Sequence, residues 1–234
     1  MPQDSKAAIL GRVRAALRTP TSPQVMPPKA ALELAESGPA RAEAIRRSLP
    51  TGGENYEESK ALFAEQSAAL KTRFVPVPSL QAAGDELARM AAEHGWSRLG
   101  AHAGELVTPL AEKLGLETVM TDGGYDPNEL ERCEVGLTEC DALVAQTGSV
   151  LVTTRSAGGR ALSVLPPHHV VVARKSQLIG ALVDAYELLE SRYGDAYPSF
   201  MTFITGPSRT GDIERILVLG AHGPKELTVL LIEG

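Results

Sequence analysis

Cysteine is scarce: Cys133 and Cys140 are the only two. That excludes a disulfide framework, and it excludes a four-cysteine iron–sulfur or zinc site within this chain. Their spacing matches no familiar metal motif, so two partly buried thiols are expected. Aromatic residues make up only 4%, leaving Leu, Val, Ile and Ala to build the core. No apolar run approaches the roughly 20 residues of a membrane span. No apolar signal-peptide core follows the start, so the cytoplasm is the expected compartment. Positive charge is in deficit, with a formal net charge of -6. No global field therefore draws the chain to nucleic acid or to an anionic membrane. Gly-x-Gly-x-x-Gly, Walker A and nucleophile-elbow motifs are absent.

What is present divides into an arm, residues 1–53, and a main α/β domain, residues 54–234. Ser5 caps an expected helix with Ile9, Val13, Ala16 and Leu17 on one face and Lys6, Arg12, Arg14 and Arg18 on the other. Its basic amphipathic character superficially suits a transit peptide, but a docked helix fits better. A stretch dense in Pro and small residues follows Pro20 and reads as a linker. Such a helix docks on the body, or on a second copy of the chain in a homo-oligomer.

From Glu54 onward, helical and strand patterns alternate. Helices are expected near Asn55–Lys71, after Ser79, over Gly104–Leu114 with Gly115 closing it, and after Ser176 with Leu178, Ile179, Leu182, Val183, Tyr186 and Leu189 on one face. Strands are expected at Phe74–Val77, Arg98–Ala101, Glu117–Met120, Val150–Thr153, Ser163–Leu165, His169–Ala173, Phe200–Thr205, Arg215–Leu219 and Leu227–Ile232. Pro76 marks the first as an edge or a strand end. The alternation predicts a mostly parallel sheet with helices on both faces. The last two strands lie too close for a crossover helix and suggest a hairpin or an antiparallel edge.

Four segments carry candidate chemistry. In Gln146–Ser149, Thr147 and Ser149 offer hydroxyls and Gly148 permits close backbone approach, a turn suited to an anion; the plain alternative is a tight turn satisfying its own backbone. Arg160 could clamp a carboxylate, and His168 or His169 could act as a base or ligand. Adjacent strand residues face opposite ways, so the two histidines are not expected to share a metal. The Thr205–Glu214 loop presents Gly206, Ser208, Arg209, Thr210 and Asp212; internal pairing of Asp212 with Arg209 is the structural alternative. His222 and Lys225 occupy the last connection, which otherwise reads as a simple link.

Taken together, TECDALVAQTGSVLV, RALSVLPPHHVVV and FITGPSRTGDIERILVLGAHGPKELTVLLIE resemble the LUD domain of the LutC/YkgG-type lactate-utilisation family. The resemblance is strong from about Cys133 to Glu233 and looser from Asn55 to Asp126. It implies a NagB/RpiA/CoA-transferase-like α/β fold. It also implies an accessory role in oxidising L-lactate to pyruvate, beside partner proteins that carry the iron–sulfur clusters. No cofactor is expected in this chain itself. The expected pocket for a small anionic ligand gathers Thr147, Gly148, Ser149, Arg160, His168, Gly206, Ser208, Arg209, Thr210, Asp212 and His222.

Two other readings stay open. One is an independent enzyme of the same broad fold: a sugar-phosphate isomerase using Asp212 or His222, an acyl-CoA transferase using Glu139 or Glu214, or a formyltetrahydrofolate cyclo-ligase-like activity. The other is a scaffold or regulatory module without pocket chemistry.

Overall fold

Residues 51–194, 196–210, 218–219 and 223–234 are described by a computed structural model, with the backbone alone at 210, 218 and 219. In chain order the elements are α1 (Tyr56–Ala69), β1 (Arg73–Val77), α2 (Leu80–His94), β2 (Arg98–Ala101), α3 (Val107–Leu114), β3 (Glu117–Met120), α4 (Pro127–Glu131), β4 (Val135–Thr138), β5 (Ala142–Val144) and β6 (Ser149–Thr153). Then follow β7 (His168–Arg174), a 3-10 turn, β8 (Leu178–Ile179), α5 (Leu182–Tyr193), β9 (Met201–Ile204), β10 (Arg209–Thr210), β11 (Val218–Leu219) and β12 (Glu226–Ile232).

Six strands form one parallel sheet in the order β1-β12-β7-β4-β2-β3. A smaller sheet, β8-β5-β6-β9, is mixed. The central strands are apolar on both sides, as a covered parallel sheet requires. Along β7, Val170 and Val172 face a core shared with Leu87 and Met90 of α2 and Leu110 of α3. Val171 and Ala173 face the other way, toward Phe63 of α1 and Val150 and Val152 of β6. Strand β12 alternates in step: Leu230 and Ile232 join the first core, Leu227, Val229 and Leu231 the second. On its far side the small sheet packs Ala142, Val144 and Leu151 against Ala185 and Leu189 of α5.

Local signals explain the helix ends. The side chain of Asn55 accepts from Glu58 N, and that of Ser79 from Ala82 N, so each caps the helix that follows it. Gly95 and Gly115 end α2 and α3 in the left-handed conformation. Pro76 lies in the edge strand β1, as its missing N–H dictates.

Three expectations are corrected. The final apolar run does not form a hairpin with its predecessor: β12 is a parallel strand between β1 and β7, and β11 pairs antiparallel with β10. A run of six buried residues suits such a two-sided position. Ser163–Leu165 is a turn, with Leu165 N donating to Ala161 O and Ser163 Oγ to Arg160 O. The helix expected after Ser176 begins at Leu182, because Leu178 and Ile179 instead pair with Leu143 and Val144 of β5. Ala181 N donates to the Asp184 carboxylate at the true start, and Tyr186 is 57% exposed, with its ring beside Phe203. The expected arm up to residue 50, and with it the Ser5 helix, lies outside the described residues.

Candidate functional site

The turn between β5 and β6 is tight. Thr147 N donates to Val144 O and Gly148 N to Ala145 O. Gly148 has φ +63°, and a Cβ there would lie 2.7 Å from Gln66 Cβ on α1. Gly206 has φ +88°, and a Cβ on it would lie 2.9 Å from Leu70 O. Both glycines therefore press against the C-terminal end of α1, where no side chain fits. Ser149 Oγ and Thr205 Oγ1 complete the junction with a 2.8 Å hydrogen bond. Thr147 Oγ1 is buried without a hydrogen-bond partner.

Beside this junction lies a cavity of about 240 Å³, walled by Ser163, Val164, His169, the Ile204–Ser208 segment, Gly223, Pro224 and Leu227. It sits where β7 and β12 begin, on the face of the sheet that carries Val171 and Leu231. His169 is fully buried, and its Nε2 is 2.9 Å from Thr138 Oγ1. Its Nδ1 has no hydrogen-bond partner. Burial, with the neighbouring His168, pushes its pKa down to about 3, so the imidazole is neutral at physiological pH. A neutral imidazole among hydroxyls and backbone amides can accept or donate one hydrogen bond to a bound polar group.

Of the expected site residues, the structure brings Gly206 and Ser208 into the cavity wall, with Ser149 tied to the wall residue Thr205. Thr147 and Gly148 share that junction. Arg209 donates to Thr205 O at 3.3 Å and bends the loop back on itself. Thr210 pairs through its backbone with Val218. Arg160 does not line the cavity; it is exposed, with its guanidinium over the Phe200 ring. Asp212, Glu214 and His222 lie outside the described residues.

His168 is on the opposite face of the sheet from the cavity. Its Nε2 is 2.9 Å from Thr228 Oγ1, and its ring meets His94 and Trp96 edge-on. Burial, reinforced by His94 and Arg73, lowers its pKa to about 4. His169 thus takes the place expected for its neighbour. Strand parity carried the information: a strand starting at His168 sends His169, Val171 and Ala173 to one side. The wall residue Ser163 and the supporting Thr138 had no signal of their own.

Glu139, a tempting nucleophile at the end of β4, accepts hydrogen bonds from Leu106 N and Val107 N at the start of α3. That engagement holds the carboxylate as a helix-end anchor. At the opposite end of the strands, where β7 and β12 finish, a more open cleft of about 560 Å³ is lined by Tyr56, Arg174, Lys175, Ser176 and Ile232–Gly234. There Arg174 pairs with Glu105, and Lys175 lies over the Tyr56 ring.

Among the described residues no helix is long and apolar enough to cross a membrane. The family model described as the LUD domain matches residues 61–232. The chain is 28% identical over 190 residues to lactate utilization protein C of Anoxybacillus flavithermus, covering 77% of this chain and 83% of that protein. It is 30% identical over 120 residues to lactate utilization protein C of Deinococcus radiodurans, covering 51% and 56%. A solved structure of a DUF162 family protein from Deinococcus radiodurans superposes with a TM-score of 0.61 at 21% identity, covering 77% of this chain and 99% of that one. That likeness shows the shared fold.

Proposed function

The chain belongs to the LUD domain family, and from that membership we propose that it is a cytoplasmic accessory subunit of a lactate-oxidising system. Its partners supply the iron–sulfur clusters, since Cys133 and Cys140 are both buried and lie in separate cores. The relatives named lactate utilization protein C support the role.

The observation that carries the site is the His169 cavity: a partly open pocket with apolar walls, one buried, neutral imidazole and a loop bearing the hydroxyls of Thr205 and Ser208. A volume of about 240 Å³ equals that of roughly eight waters at about 30 Å³ each, enough for a three-carbon hydroxy acid or its keto product. Backbone amides and hydroxyls can hold its carboxylate without a buried cation. The engaged Glu139 weighs against the acyl-transferase alternative.

The test is growth of a deletion strain on L-lactate. The wild-type gene should restore growth, and the tagged protein should co-purify with iron. Normal growth of the deletion strain would overturn the role; growth dependence without co-purified iron would remove only the iron–sulfur partners. The Ser163→Leu variant, which fills the cavity wall, should lose complementation at normal protein levels.

A further inference from the structure

We propose that His94, His168 and Glu226 form a binding site for one divalent transition-metal ion of the zinc class, on the sheet face opposite the His169 cavity. This site is independent of the lactate reading.

Three separate elements deliver the donors. His94 is the last residue of α2, His168 the first of β7 and Glu226 the first of β12. Because α2 runs back against the parallel strands, its end meets their beginnings. Each residue offers one ligand atom, and these atoms all lie within 4.8 Å of one another. His94 Nδ1 is 3.9 Å from Glu226 Oε1, and His168 Nδ1 is 3.9 Å from Glu226 Oε2. These separations are too long for hydrogen bonds. They are close to the spacing of donor atoms around a tetrahedral ion, about 3.4 Å for bonds of about 2.1 Å. Glu226 is the adaptable member, with its side chain 55% exposed.

His168 is the independent sign. Its side chain is 5% exposed, and its Nδ1 is buried with no hydrogen-bond partner. Buried polar atoms are rarely left so. Its Nε2 is held by Thr228 Oγ1 at 2.9 Å. When Nε2 carries the proton and donates to that hydroxyl, Nδ1 presents a lone pair toward Glu226. This is the arrangement by which a metal-bound histidine is oriented, its second nitrogen fixed by a polar neighbour. Trp96 stiffens the pair: it stacks on His94 at 5.4 Å and meets His168 edge-on at 5.1 Å. Arg73, whose charge reaches His168, is already paired with Glu86. Two imidazoles and one carboxylate suit zinc, and leave a fourth position for water. The two adjacent histidines share no ion, as strand geometry requires; His168 finds its co-ligands on α2 and β12 instead.

The experiment uses the full chain, tag removed and stripped with a chelator. Zinc is titrated against a chromophoric competitor, and cobalt is added separately for its visible spectrum. Wild type should bind one ion per chain and gain several degrees in Tm, and its cobalt form should show the strong absorption of a four-coordinate site. His94→Gln and Glu226→Gln alter accessible side chains and should fold normally while weakening zinc at least tenfold. His168→Gln should abolish binding, and wild-type zinc affinity in that variant would also overturn the proposal. Equal zinc affinity in wild type and both accessible variants, or no binding by wild type, overturns the proposal.

Discussion

His168 and His169 are consecutive in β7, yet each is anchored to a different neighbouring strand: His168 by Thr228 of β12, His169 by Thr138 of β4, both at 2.9 Å. One residue of register thus separates two buried imidazoles onto two faces of one sheet. Thr138→Val and Thr228→Val should each leave a histidine without its hydroxyl partner. Each should lower stability by about 1–3 kcal/mol, read from the midpoint of urea unfolding. Unchanged midpoints would show that these bonds do not hold the rings.

Gly148 and Gly206 press on the end of α1 with positive φ, so either replaced by Ala meets both strain and contact. The left-handed conformation alone costs about 1–2 kcal/mol. Gly148→Ala, with Gln66 Cβ 2.7 Å from the new atom, should lose more than that, and Tm should fall by several degrees. A Tm equal to wild type would mean that the turn and helix are not in contact.

Cys133 and Cys140 are both buried. Desolvation raises the Cys133 thiol to about 11 and Cys140 still further. A protonated, enclosed thiol is unreactive. Native protein should therefore release almost no chromophore from an aromatic disulfide reagent, and denatured protein should release two equivalents. Rapid native labelling would contradict the packing of either thiol.

The Tyr56 phenol donates to Glu233 at 2.7 Å. Burial first, then this carboxylate, raises its pKa to about 12. Between pH 10 and 12 the unfolded tyrosine ionises while the folded one keeps its proton. This group's contribution to stability is therefore complete below pH 10 and is lost as pH rises toward 12. In Glu233→Gln the folded pKa should fall toward 10, seen as earlier tyrosinate absorbance against a Tyr56→Phe control. An unmoved titration would sever the pair.

Much of this was legible in the residues. The capping side chains of Asn55 and Ser79, the glycine stop at Gly115 and the edge proline Pro76 are local signals, and they act locally. Pairing partners were less accessible. Leu178 and Ile179 fit the apolar stripe of a helix equally well, and only the open edge of β5 decides that they extend a sheet. The short link before Leu227 argued for a hairpin, but burial on both sides places that run at the centre of the sheet. The cavity was half visible: Gly206 and Ser208 stood out by composition, whereas Ser163 and Thr138 became relevant only when distant strands were laid side by side. Arg160 has the chemistry of a carboxylate clamp, but the structure leaves it over the Phe200 ring at the surface.

The position of β12 has a consequence for how the molecule is made. Among the described residues, those of every other strand are synthesised between β1 and β12, yet β12 is the sole neighbour of β1 in the sheet. A nascent chain therefore carries Arg73–Val77 without its neighbour β12 until residues 226–232 have left the ribosome. Its longest-range pairing closes last, and such topologies fold slowly. Until residues 226–232 join it, the strand Arg73–Val77 is covered by the helices on either side of it in the chain, α1 and α2.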